Sequence, residues 1–478
     1  MSFTKIVATI GPVSNNAPVV KKLLGAGMSV ARLNASHSDL DWHAATIDMI
    51  RRVSPETCFL MDIPGKKIRT MHLNHEPTFE VGDELILTTN LNHDGREKVP
   101  VSFPDLHSCL SVGNVIMADD GTLCFRVTKI EGQDIYCRAD TAGTLKSRKG
   151  INVPMVDLGM ELVTAADQKM IQFARTYAID YIGLSFVESR LHIEAIREIC
   201  GSDGPSIVAK IENSAGLLNQ EEIIDAADAI MIDRGDLSVE TRFDTVAIEQ
   251  KRILNCAQRY ATPVIVATEM LHSMITSPFP TKAEVADITN AVLDGASAIM
   301  LSGETAVGAY PVEAVDVMRS IADSSETYEQ ENAIHRRVSR LENKSIPAAM
   351  SGAVNAVMSN LDVSKIVVIT KSGFAARVVA SARPNCPIIA MTNDPNMARR
   401  FNLYRGTKGV YADIPFEKVS ANHIMAFLHH AWQIGELSET DIILAVAVAY
   451  PNSGNRMNLI QTHLVQDLIE TLQWSREN

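Results

Sequence analysis

The sequence predicts an α/β fold, a (β/α)8 TIM barrel with an inserted all-β domain and a C-terminal open α/β domain, and three observations carry that expectation. Two long regions alternate short β-branched runs with amphipathic helical stretches, the pattern of a parallel sheet with crossover helices. In the first region these runs number eight, the count that closes a barrel. The third and fourth runs stand about 118 residues apart, where one βα unit needs only ~30, so a further domain is inserted between them.

The barrel strands are expected at 5–10, 29–34, 58–62, 181–186, 207–211, 229–232, 264–268 and 298–301. Asn16 before Ala17 and Pro18 reads as the cap of the first helix, which Gly25 and Gly27 can close. From about 67 to 154 the chain reads as short strands cut by turns such as 81–83, 119–121 and 131–134, with no long helix. Thr164 with Asp167, and Thr281 with Glu284, have the spacing of capping boxes. The charged stretch 332–344 reads as a solvated helix and linker. Beyond it, strands are expected at 365–370, 387–392 and 441–449, too few for a second barrel, so an open doubly wound sheet follows. The domains are therefore 1–66 with 155–345 for the barrel, 67–154 for the β-rich insertion, and 346–478 for the C-terminal unit.

Lys and Arg total 44 against 57 Asp and Glu, a net charge of −13. That sign disfavours nucleic acid or an anionic membrane as a partner held by bulk charge. The longest apolar run, 442–450, is too short to span a bilayer, which needs roughly 18 residues. The first residues lack the pattern of an export signal. The seven cysteines form no CxxC pair, so neither a zinc site nor a disulfide framework is expected, and a reducing, cytoplasmic compartment is.

Catalytic groups of such barrels stand at the C-terminal strand ends. Here that set is polar throughout: Thr9, Arg32, Asn34, Asp62, Ser185, Lys210, Glu212, Arg234, Asp236, Thr268, Glu269, Ser302 and Glu304. On one strand, a period of two turns Lys210 and Glu212 to the same side and Ile211 away. Asp236 follows the next strand, so Glu212 and Asp236 are placed to share one ion. Two carboxylates with few other ligands suit Mg²⁺ or Mn²⁺; a Lys210–Glu212–Arg234–Asp236 salt-bridge network is the structural alternative. Arg32 offers a planar fork for phosphate, Lys210 a compact charge, and Arg69 a further cation. Metal, cations and an inserted domain point to phosphoryl transfer. Neither GxxxxGK[ST] nor a strand-linked GxGxxG is present.

These segments resemble the pyruvate kinase family along essentially the whole chain. The resemblance lies in 4–12 (TKIVATIGP), 31–37 (ARLNASH), 149–154 (KGINVP), 182–187 (IGLSFV), 210–213 (KIEN), 234–237 (RGDL), 267–271 (ATEML), 280–284 (PTKAE) and 300–306 (MLSGETA). It implies a barrel, a mobile β lid and a C-terminal α/β domain in a homotetramer, transferring phosphate from phosphoenolpyruvate to ADP to give pyruvate and ATP. It further implies Glu212 and Asp236 as ligands of the divalent metal, Lys210 as the stabiliser of the moving phosphoryl, Arg32 as a phosphate contact, and Thr268 as the residue associated with enolate protonation. The backbone at Gly235 and Asp236 would cradle the carboxylate end. Asn34 and His37 would face the nucleotide, Arg69 and Lys149 would line the substrate site, and Asp120 would close over metal-bound nucleotide. Asn34, Ser36 and Asp62 correspond to the monovalent-ion site.

Several positions depart from the family pattern. Ile63 replaces a threonine that serves as an oxygen ligand of K⁺, and Lys67 replaces a glutamate, placing an ammonium near the K⁺ position; activity without K⁺ is therefore expected. Asp233 stands where the family usually has alanine, and a carboxylate there is costly unless neutralised or turned outward. Ser38 and Ser238 replace glycines. Thr370, Lys371, Ser372 and Gly373 resemble the effector phosphate loop, but Phe374 and Ala375 and the last loop, 450–454, do not continue that pattern. Two other functions stay open: a non-kinase barrel acting on pyruvate or oxaloacetate enolates, and a weakly active paralogue with a sensing role.

Overall fold

A computed structural model describes the chain except for residues 1–2, 66, 120, 155, 157, 160, 242, 333–345, 418–419, 450–456 and 476–478. The expected charged stretch 332–344 thus falls almost wholly outside the described residues, as does the loop 450–454.

Eight parallel strands close into a barrel in sequence order: Lys5–Thr9, Met28–Asn34, Cys58–Ile63, Tyr181–Leu184, Ser206–Ile211, Ala229–Asp233, Val264–Ala267 and Ala298–Leu301. The first pairs with the last, Lys5 opposite Ala298, and closure follows. Three strands end earlier than the sequence suggested, the first by one residue, at Thr9. The fourth stops before Phe186, at φ 53, and the seventh before Thr268 and Glu269, at φ 69 and 56. Left-handed backbone cannot continue a strand. Asn16 caps the first helix through Val19 N, and Gly27 ends it at φ 113. Both expected capping boxes, Thr164 with Asp167 and Thr281 with Glu284, are formed in full.

Alternation divides each strand between two cores. Residues such as Ile6, Phe59, Ile207 and Ile230 face the surrounding helices. Their neighbours Val7, Leu60, Val208 and Met231 face inward and merge with Val354, Val368, Val379 and Phe401 of the C-terminal region into one continuous cluster. The barrel floor is thus packed against the C-terminal domain. Polar contacts join the same surfaces: Asp180 accepts from Phe59 N at 2.8 Å and from Arg399 Nε at 3.0 Å.

Between the third and fourth barrel strands lies a seven-stranded, mainly antiparallel sheet, opened by Ile68–Arg69 and rejoined by Gly150–Asn152, with one short helix at Leu106–Cys109. Its core, including Leu87, Phe125 and Ile135, is separate from the others. Among the described residues the C-terminal sheet has five strands where three were expected. Thr407–Tyr411 and Leu459–Leu464 flank Lys365–Ile369, Ile388–Thr392 and Ile442–Ala447, and only the last strand is antiparallel. No described helix is long and apolar enough to cross a membrane.

Candidate active site

The barrel mouth is a buried mosaic of opposite charges. At the end of the third strand, Asp62 Oδ2 accepts from Arg32 Nε at 2.8 Å and Nη2 at 2.6 Å, and Arg32 Nη1 donates to Thr9 Oγ1 at 2.9 Å. Gly183 makes room for this pair, because a Cβ there would stand 1.9 Å from Asp62 Oδ1. Arg32 is thereby held rigid, its fork pre-set by a carboxylate.

Lys210 lies on the fifth strand and Glu212 one residue beyond its end, and the two side chains meet, with Nζ 3.0 Å from Oε2. Lys210 Nζ is equally close to Asp233 Oδ2, at 3.0 Å, and donates to Ser185 Oγ at 3.4 Å. Asp233 is therefore turned inward and neutralised. The signal was available: a period of two puts Asp233 on the inward face with Ala229 and Met231. Glu212 is fully buried and its Oε1 accepts from Phe186 N at 2.7 Å, a contact made possible by the left-handed turn at Phe186. Asp236, on the helix Arg234–Glu240, accepts from Lys67 Nζ at 2.6 and 2.9 Å. Sequence periodicity gives no sign of that pairing, since Lys67 arrives from the start of the inserted domain on a long flexible stem.

Burial works against the charges of Lys210, Glu212, Asp233 and Asp236. It pushes the Glu212 carboxyl up to about 8, with Lys210 pulling down and Asp233 and Asp236 adding to the rise. Asp236 is raised by burial and then by Asp233. Burial also acts upward on Asp233, but Lys210, Arg32 and Lys67 together hold it below the usual range. For Lys210 burial acts downward, yet Glu212, Asp233, Asp62 and Asp236 together carry it well above its ordinary value.

One oxygen each of Glu212, Asp233 and Asp236 lies within 4.8 Å of the others. An all-carboxylate set on three adjoining segments, closely spaced and largely buried, fits a hard divalent cation that prefers oxygen. The salt-bridge alternative is realised with a different membership. Arg234 leaves the cluster, donating to Asp287 at 2.8 and 2.7 Å and to Thr268 O at 2.6 Å.

Thr268 faces the same mouth. Its hydroxyl accepts from Gly235 N at 2.9 Å and donates to Ala267 O at 2.6 Å. Left-handed backbone at Thr268 and Glu269 costs of order 1–3 kcal/mol per residue and persists only where surrounding contacts enforce it. On the opposite rim, Asn34 Oδ1 accepts from Ser36 N at 3.0 Å. Burial, then Arg69 and Arg32, hold the His37 imidazole below its ordinary value. Ser38 adopts φ 62, the conformation for which glycine is favoured; Ser238 sits in the helix, donating to Gly235 O at 2.8 Å. Arg69 Nη1 donates to Arg148 O at 3.1 Å, and Lys149 pairs with Asp119 at 2.6 Å. Asp120 lies outside the described residues. Away from this mouth, Thr370, Lys371 and Ser372 lead into Gly373, at φ 76, which precedes the helix Phe374–Ser381.

Comparison with known proteins gives a consistent result. The family model described as the pyruvate kinase barrel domain matches residues 1–315, and that of the pyruvate kinase alpha/beta domain matches 348–463. A pyruvate kinase of Geobacillus stearothermophilus is 36% identical over 98% of this chain and 81% of its own length. One from Thermococcus litoralis is 36% identical over 84% of this chain and 88% of its own, and pyruvate kinase 2 of Synechocystis is 35% identical over 98% and 80%.

Proposed function

Because the chain belongs to the pyruvate kinase family, and so is an enzyme of phosphoryl transfer from phosphoenolpyruvate to give pyruvate in glycolysis, we propose that ADP is its acceptor and that the carboxylate cluster beside Lys210 carries the reaction. Glu212 and Asp236 hold Mg²⁺ or Mn²⁺, and Asp233 supplies a third oxygen nearby. When bound, the dication supplies positive charge to phosphoryl and enolate oxygens.

The protein's own groups do the positioning. Arg32, fixed by Asp62, offers its remaining donor edge to the phosphate. Lys210 leaves its carboxylate partners for the phosphoryl oxygens as charge moves from phosphate to enolate. Backbone at Gly235 and Asp236 receives the carboxylate end. Thr268 stands on that side, its hydroxyl ordered by Gly235 N, to assist protonation of the enolate carbon. Asn34, His37, Arg69 and Lys149 frame the nucleotide side, and the inserted domain, 67–154, closes over it with Asp120. A homotetramer in the cytoplasm is the expected setting.

The observation that carries this reading is the close, largely buried set Glu212, Asp233 and Asp236, with Lys210 bound to the first two. Protein mixed with phosphoenolpyruvate, ADP and Mg²⁺ should release pyruvate and form ATP in equal amounts. Pyruvate released without ADP, or only from oxaloacetate, would instead identify a non-kinase enolate enzyme. A weakly active paralogue is favoured by one feature, the sharing of Lys210 between two carboxylates; a turnover number far below the usual 1–10³ s⁻¹ would support it.

Lys67 also supports activity without K⁺. It brings a side-chain cation into the mouth, 5.7 Å from the Phe186 ring centroid and bound to Asp236. Of the expected monovalent-ion set, Asp62 is held by Arg32. Rates in tetramethylammonium chloride should equal those in KCl, and Lys67→Glu should make the enzyme respond to K⁺. A strict K⁺ requirement in the unaltered protein refutes the idea.

A further inference from the structure

Arg234 is drawn away from the carboxylate cluster by acceptors on the two stretches that follow the seventh barrel strand. Its Nε donates to Ala267 O at 3.2 Å, and its Nη2 to Thr268 O at 2.6 Å and Met270 Sδ at 2.8 Å. Nη1 donates to both carboxylate oxygens of Asp287, at 2.8 and 2.7 Å. Asp287 stands on the helix Lys282–Leu293, whose start is fixed by the capping box at Thr281. The Arg234 side chain is only 12% exposed, so these charge-assisted bonds form largely out of water, where they are strongest.

The turn that Arg234 grips does not hold itself. Thr268 and Glu269 are both left-handed, at φ 69 and 56. For a β-branched residue that conformation is a real outlier, and it persists only where neighbours over-determine it. Ala267 O belongs to the peptide plane before the Thr268 Cα and Thr268 O to the plane after it. One guanidinium therefore fixes both planes, and with them the direction in which the Thr268 side chain leaves the backbone. The next amide, Gly235 N, donates to Thr268 Oγ1 at 2.9 Å and orders the hydroxyl itself. Downstream, Leu271 N is tied to Glu304 Oε1 at 3.1 Å. A planar fork can meet two carbonyls and a carboxylate at once; the compact ammonium of a lysine cannot.

We propose that Arg234, anchored by Asp287, is the positioning residue that aims the Thr268 hydroxyl at the enolate carbon. The proposal rests on the part in protonation given to Thr268 above. Asp287 acts only through Arg234, whose guanidinium it orients and neutralises.

The proton step can be read by itself. Full-length protein with pyruvate, Mg²⁺ and ATP in D2O exchanges the pyruvate methyl hydrogens: one proton leaves carbon for solvent and a deuteron returns. Loss of the methyl signal by proton NMR, less a protein-free control, gives the rate. Arg234→Met should slow exchange about 100-fold, the cost of a displaced catalytic group, and Asp287→Asn by a smaller factor. The double variant should be no slower than Arg234→Met alone, because the two residues act as one unit. The Mg²⁺ concentration for half-maximal exchange should stay unchanged in all three, whereas a general loosening of the mouth would shift it. An undiminished rate in Arg234→Met, losses that multiply in the double variant, or a shifted Mg²⁺ dependence overturns the proposal. Should Arg234→Met fail to fold, Asp287→Asn, which keeps an acceptor oxygen, carries the same test. Thr268→Val separates the two failures. Undiminished exchange there removes Thr268 from proton transfer and this proposal with it; exchange lost there but kept in Arg234→Met refutes the positioning role alone.

Discussion

At Lys210 two carboxylates compete for one ammonium, and the outcome sets how readily that charge reaches substrate. Removing one partner of a buried pair costs several kcal/mol when the other is stranded. Asp233→Ala avoids that penalty, because Lys210 keeps Glu212 at 3.0 Å. We expect it to fold with a loss of about 1 kcal/mol, to lower KM for phosphoenolpyruvate several-fold, and to raise the Mg²⁺ concentration needed for half-maximal rate. Kinetics over a Mg²⁺ series would show both shifts, and neither occurring would remove Asp233 from the site. The residue scale also shows what the sequence could reveal. Lys210 and Glu212 were legible because the extended backbone carries the period of two one residue past the strand end at Ile211. Asp233 obeys the same rule, but a chemical argument about its cost hid the simple geometric one. Lys67 on Asp236 was illegible, since a long side chain crossing between domains leaves no periodic trace.

Among the elements, the seam between barrel floor and the helix Pro395–Arg400 depends on Asp180. Burial pushes that carboxyl up to about 6 from its usual 3.8, Arg399 and the Phe59 amide pulling the other way. A folded value above the unfolded one means stability is greatest below the unfolded value and is lost as pH rises through about 6. Over that window the loss is about 3 kcal/mol, at roughly 1.4 kcal/mol for each unit. Asp180→Asn should flatten the fall in stability between pH 4 and 7, as read from denaturation at each pH; an unchanged slope would show the carboxyl to be ordinary. Element boundaries explain the other misses. Thr407–Tyr411 and Leu459–Leu464 lie at the two edges of the C-terminal sheet. They carry Lys408, Gln461, Thr462 and His463 rather than a continuous apolar run. Gly409 breaks the first pattern because Ala398 O would lie 1.8 Å from any Cβ there. The central strands, buried on both faces, were the ones the sequence announced.

For the whole molecule, the division of cores predicts which pieces can be separated. The inward face of the barrel and the C-terminal sheet share one hydrophobic cluster, so a chain ending at residue 332 would expose a broad apolar floor. It should aggregate or lose cooperative unfolding in size-exclusion and denaturation measurements. The inserted sheet closes its own core around Leu87, Phe125 and Ile135. Replacing 67–154 by a short linker should therefore leave a folded barrel by circular dichroism, with transfer to ADP lost. A well-behaved 1–332 fragment, or a barrel that melts without the insertion, would contradict this account. The self-contained core has a practical corollary. An attachment that owes its packing to nobody else can be exchanged among relatives as a cassette, so nucleotide preference could be retuned by transplantation while the chemistry beneath stays untouched.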